Sequence, residues 1–169
     1  EFFKYLRENL DDTGAVISAD LFGMTTTNTD DLNIGQVLEL ALPYFDFIDP
    51  MVYPSHYASG FLQYKNPAAY PYEVISYSLK TAVARREAFA NLYSTSTRET
   101  VSDDLKENLK PPAKIAQIRP WLQAFDLGAP YPPEVIRREI QAVYDVGLSH
   151  GWYLWNPSNV YHPAALEKE

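Results

Sequence analysis

A carboxylate, Asp20, closes the apolar run AVISAD and opens a polar loop, LFGMTTTNTDD. There it could be a general acid, a nucleophile or a ligand to a sugar hydroxyl, and it could equally hydrogen-bond its own turn or cap backbone amides. A second acid, Asp49, lies inside FDFIDPMVY beside Pro50, a residue that marks a bulge or an edge strand. A buried acid needs a partner or a proton, and Arg119 in KIAQIRPWLQ is the expected structural partner. Tyr53, Tyr57, Trp121 and Trp155 stand near the ends of apolar runs, together with Arg119, Gln123 and Asn156. Sugar rings offer apolar C–H faces to aromatic rings and hydroxyls to amides and guanidinium groups, so the mixture suits carbohydrate. Core packing is the competing role for each ring, and Trp152 and Trp155, on opposite faces of one strand, cannot both escape it.

Other chemistries have less support. His56, His150 and His162 lack the short spacings of zinc ligands, so no metal site is expected, and His56 alone contacts substrate or packs in its loop. The absence of cysteine excludes disulfides, thiolate metal sites and a cysteine nucleophile. No G-x-G-x-x-G, G-x-x-x-x-G-K-[ST] or G-x-S-x-G occurs, which removes the dinucleotide, P-loop and serine-hydrolase motifs and leaves no cofactor expected. A net charge of −8, with acids and bases mixed along the chain, argues against nucleic acid and anionic membrane surfaces as partners. No apolar run approaches the roughly 18 residues of a membrane span, and Glu1–Leu10 lacks the basic start and apolar middle of a signal peptide. The compartment stays open, with an extracytoplasmic or cell-envelope setting favoured.

These residues need elements to position them. With 46% apolar and 21% charged residues, the 169-residue chain reads as one globular domain, 1–169. Four buried strands are predicted: 15–20, 45–53, 114–123 and 151–156. Helices are predicted over NIGQVLELALPYF, with Asp30 and Asp31 suited to its N-cap, from near Pro71 onward, and over PPEVIRREIQAVYDVGLSHG, with Gly147 near its end. Glu1–Leu10 reads as a helix already under way. A polar insertion, 94–113, separates the second and third strands. Strand and helix alternating in this way predict a parallel α/β sheet.

Alternate residues of a strand share a face, which groups Val16, Ser18 and Asp20, then Phe47, Asp49, Met51 and Tyr53, then Ile115, Gln117, Arg119, Trp121 and Gln123. In the fourth strand Trp152, Leu154 and Asn156 lie opposite Tyr153 and Trp155. In three of the four strands one face turns polar toward the C-terminal end, where parallel α/β folds place their sites.

The segments ISADLFGMTTTNTDDLNIGQ, FDFIDPMVYPSHY, KIAQIRPWLQAF and GWYLWNPSNVY together resemble a family of bacterial glycoside hydrolases with a TIM-barrel fold and unknown specificity. The resemblance spans nearly the whole chain. It implies that the four strands correspond to the fifth to eighth of a (β/α)8 barrel, with Asp20 at the strand-five acid and Tyr53, His56 and Tyr57 at the rim of strand six. Arg119, Trp121 and Gln123 would then lie on strand seven, and Trp155 and Asn156 on strand eight. The family's strand-four acidic motif has no counterpart here. MVY at 51–53 is similar to the Met-x-Tyr-Asp of chitinase-like barrels, but Pro54 replaces the acid. A full barrel takes about 250 residues, so the expectation is a half-barrel: a fragment partnered by a missing N-terminal half, or a homodimer. The implied function is cleavage of a polysaccharide or oligosaccharide by carboxylate acid/base catalysis, with Asp20 catalytic. The alternative is a non-catalytic carbohydrate-binding or scaffold domain.

Overall fold

The computed structural model describes residues 1–93, 112 and 114–166. The polar insertion expected at 94–113 therefore lies, but for Pro112, outside the described residues. The elements in chain order are α1 (Phe2–Leu10), β1 (Ser18–Phe22), α2 (Leu38–Ala41), β2 (Phe47–Met51), α3 (Pro71–Leu92), β3 (Gln117–Ile118), β4 (Trp121–Gln123), α4 (Pro133–Asp145) and β5 (Tyr153–Trp155). Proline opens α3 and α4 at a position whose N–H has no helical acceptor, and Gly147, at φ 85°, follows the end of α4.

All strand pairs are parallel, in the order β1, β2, β4, β5, with β3 also on β2. Neighbours in space follow chain order. A doubly wound sheet reverses that order at its switch point, so this is the arrangement of consecutive (βα) units of a TIM barrel. One face carries the core: Leu21, Ile48, Ile118 and Leu122 from the strands pack with Ile75 and Leu79 of α3 and Ile136, Ile140 and Val143 of α4. The opposite face carries Asp20, Asp49, Trp121 and Tyr153, and is the side that a closed barrel would turn inward.

Four expectations are corrected. The helix expected over 33–45 shrinks to the four residues of α2. Asp30 and Asp31 do not cap it; each carboxylate accepts the N–H two residues on, from Leu32 and Asn33, and both of those residues adopt positive φ. These Asx turns compete with a helical start. The third predicted strand divides into β3 and β4 at Arg119–Pro120. Arg119 donates its N–H to the Ile48 carbonyl at 3.0 Å, but Pro50 has no N–H to return to Arg119, so the rung is half made. Pro50 accordingly lies neither at a bulge nor in an edge strand: β2 is internal, and the break in its neighbour absorbs the missing donor.

Candidate functional site

Register aligns the candidate side chains. Asp20 is the partner of Asp49, Met51 of Trp121, Trp121 of Tyr153, and Gln123 of Trp155. In parallel strands such partners share a face. The inner face therefore presents a layer of Asp20, Asp49 and Arg119, then a layer with Trp121 and Tyr153, then Trp155 at the C-terminal end.

Asp20 is exposed and accepts the indole N–H of Trp121 at 2.9 Å. Trp121 stacks on Tyr153 with centroids 4.4 Å apart and meets Trp155 edge-on at 6.4 Å. Trp155 is 43% exposed, so an aromatic corner opens to solvent beside the carboxylate. Such a corner can take the apolar face of a ring while Asp20 exchanges a proton or a hydrogen bond with it.

Asp49 is buried and bound by Arg119 through two 3.2 Å contacts, Nε to Oδ1 and Nη2 to Oδ2. The expected ion pair is present. Arg119 is also held between two rings, 4.1 Å from the Phe47 centroid and 4.6 Å from that of Tyr153. Burial raises the Asp49 pKa above its ordinary value, against the lowering effect of Arg119 and a Ser18 hydrogen bond, and the Asp20 charge raises it further. Arg119 thus sits beneath the aromatic corner as a structural cation, with its guanidinium engaged.

The remaining predicted residues divide by what occupies their polar atoms. Tyr53 is buried, packs edge-on against His56 at 5.2 Å and against Phe125 at 5.8 Å, and has its pKa driven up first by burial and then by the Asp20 charge. His56 is exposed at that rim. Tyr57 is buried behind it, accepting the Ser78 hydroxyl at 2.9 Å, with its pKa pushed up to about 12 by burial. Gln123 is wholly buried and bound to Ser55 and Phe125. Asn156 is buried too, donating to the Ala124 carbonyl and accepting from Ser158 N–H. Tyr57, Gln123 and Asn156 therefore have their polar atoms engaged within the protein. Tyr153, opposite Asn156 in the strand alternation, belongs to the corner because it shares the face of Trp155.

Asp20, Trp121, Tyr153 and Trp155 line neither of two clefts formed by the described residues. One of about 410 Å³ lies between the exits of β4 and β5, lined by Phe125, Tyr131, Asn156, Val160 and His162 among others. A larger one, about 710 Å³, lies at the opposite end of the sheet among Lys4, Arg7, Tyr44 and Lys114, away from the aromatic corner. Among the described residues no group of three or more His, Asp or Glu side chains is placed to hold a metal ion, and no helix is long and apolar enough to cross a membrane.

A family model described as "Putative glycosyl hydrolase domain" (DUF4015) matches residues 1–161. Among solved structures, the PgaB (BpsB) glycoside hydrolase domain from Bordetella bronchiseptica superposes with a TM-score of 0.50 at 18% identity, over 91% of this chain and 37% of that one. The chain thus spans little more than a third of the solved chain it matches, and at that identity the likeness is one of fold. No curated protein matches it.

Proposed function

The chain belongs to the glycosyl hydrolase family DUF4015, and from that membership we propose that its inner face is part of a glycan-cleaving site in which Asp20 is a catalytic carboxylate. The observation that carries the proposal is the Trp121 indole bound to Asp20 inside an aromatic corner open to solvent. Trp121, Trp155 and Tyr153 would stack sugar rings, with Tyr53 and His56 at the rim. Glycoside hydrolysis uses two carboxyl groups, and Asp49 is tied to Arg119, so the partner of Asp20 is sought outside this chain. Among the described residues the outer edges of β1 and β5 are unpaired, which supports the same proposal, since further (βα) units or a second copy would close the sheet.

Asp20→Asn in the full-length protein is expected to abolish polysaccharide cleavage while the circular dichroism spectrum stays unchanged. Unchanged turnover would remove Asp20 from the mechanism. The engagement of Asp49 also favours a second reading, a carbohydrate-binding domain without chemistry. Glycan binding by the full-length protein with no release of reducing ends would establish that one.

A further inference from the structure

At the C-terminal end of the sheet β2 and β4 separate. Their last shared rung is Met51–Trp121, where the Val52 N–H donates to the Trp121 carbonyl at 3.2 Å. A parallel ladder would next carry the Gln123 N–H to the Val52 carbonyl. That N–H points instead to Oε2 of Glu139 on α4, 2.9 Å away. Past Tyr53 the chain winds into the short turn Pro54–His56, and the Gln123 side chain spans the opening between the two strands. Its Oε1 accepts from Ser55 N–H at 3.2 Å and Ser55 Oγ at 2.8 Å, and its Nε2 donates to the Phe125 carbonyl at 2.9 Å. Gln123 and Glu139 are both fully buried.

We propose that Glu139 is a positioning residue: by drawing the Gln123 N–H out of the ladder it ends the β2–β4 pairing, and through Gln123 it fixes the Ser55 turn that sets Tyr53 and His56 against Phe125. Glu139 occupies the apolar face of α4 with Ile136, Ile140 and Val143, where packing alone would be served by another aliphatic residue. An aliphatic side chain there would leave the Gln123 N–H buried and unpaired, which is costly. Burial holds the Glu139 carboxyl well above the usual carboxylate range, and its Oε1 has no partner among the described groups. A neutral carboxyl accepts the N–H without placing a full charge beside Tyr53 and Tyr131.

What the rim holds rests on the glycan proposal, but its geometry is measurable with no sugar present. The edge-on Tyr53 ring displaces the His56 ring-proton shifts, and these are followed by NMR in the full chain for wild type, Glu139→Gln and Glu139→Leu. The Gln variant keeps an acceptor and should retain the displaced His56 shifts. The Leu variant should return them to free-histidine values and lose protection of the Gln123 amide, while the Trp121 indole signal stays in place. Displaced shifts retained in the Leu variant, or lost equally in both, would overturn the proposal. Should the Leu variant fail to fold, Gln123→Met removes both Ser55 contacts at nearly constant side-chain volume: altered His56 shifts support the proposal and unaltered ones overturn it. Absence of glycan cleavage would leave each of these results standing.

Discussion

The indole N–H of Trp121 reaches Oδ1 of Asp20 at 2.9 Å, joining β4 to β1 across the intervening β2. The two residues are 101 positions apart, and the contact exists because both occupy the inner face in neighbouring layers. One side chain thus orients the carboxylate and also forms the aromatic corner with Tyr153 and Trp155.

Those two roles separate in Trp121→Phe, which keeps a ring against Tyr153 but removes the donor. Freed from its partner, Asp20 samples other rotamers, and under the proposed catalytic role of Asp20 that misplacement should cost about tenfold to a hundredfold in rate. Steady-state kinetics of glycan cleavage by the full-length variant should show the loss mainly in kcat, with KM changed less. A loss confined to KM would show that the indole only binds.

Asp49 and Arg119 predict an asymmetry in stability. Removing the cation with Arg119→Met leaves a buried carboxylate uncompensated, a change of about 3–5 kcal/mol at neutral pH. Asp49→Asn leaves Arg119 between Phe47 and Tyr153 and should cost less. The Asp49 pKa is already raised in the folded protein, so its contribution to stability is present in acid and is lost as pH rises through the folded pKa. The deficit of Arg119→Met should therefore shrink as the pH falls toward that transition, as measured by urea unfolding at several pH values.

The strand-end polarity of this fold is legible in the sequence because side-chain alternation is a local property of the backbone: Asp20, Asp49, Arg119 and Trp121 are placed on one face by counting alone. The ion pair of Asp49 follows from the demand that buried charge be matched. Features set by a neighbouring segment are not legible in this way. The division of the third strand at Arg119–Pro120 depends on Pro50 in the adjacent strand, and the end of the β2–β4 ladder depends on Glu139 in a distant helix. The Asx turns of Asp30 and Asp31 show the same limit locally, because an aspartate that can cap a helix can also close a turn. The one sequence signal for Glu139 is an acid among the apolar positions of α4, between Ile136 and Val143.

Gly23 ends β1 against β2 so closely that a methyl group there would collide with the Met51 carbonyl and lie 2.9 Å from Val52 Cα. Backbone atoms in a paired strand have little room to yield. Gly23→Ala should lower stability by at least about 1–3 kcal/mol, seen as a reduced urea midpoint at unchanged slope. The strain would also displace the end of β1 that carries Asp20, so the Trp121 indole resonance should shift in the same variant.

At the opposite end of the sheet, Asp46 joins α1 to the strands. Its carboxylate accepts from Arg7 at 3.1 Å, from Ile17 N–H at 2.9 Å and from Lys114. Burial raises the pKa, but the Ile17, Lys114 and Arg7 hydrogen bonds outweigh it and bring the value to about 2. A depressed folded pKa contributes stability that is present above the ordinary value of 3.8 and is lost as pH falls through about 2. Asp46→Asn should therefore destabilise the chain at pH 6 by up to about 2 kcal/mol, and the difference from wild type should close between pH 4 and pH 2. Because Arg7 is also bound to Asp11 at 2.6 Å, the variant leaves α1 a local ion pair but removes its tie to β2. Hydrogen exchange should accordingly quicken in α1 while β2 remains protected, and equal loss of protection in both would show that Asp46 holds the sheet itself rather than the helix upon it.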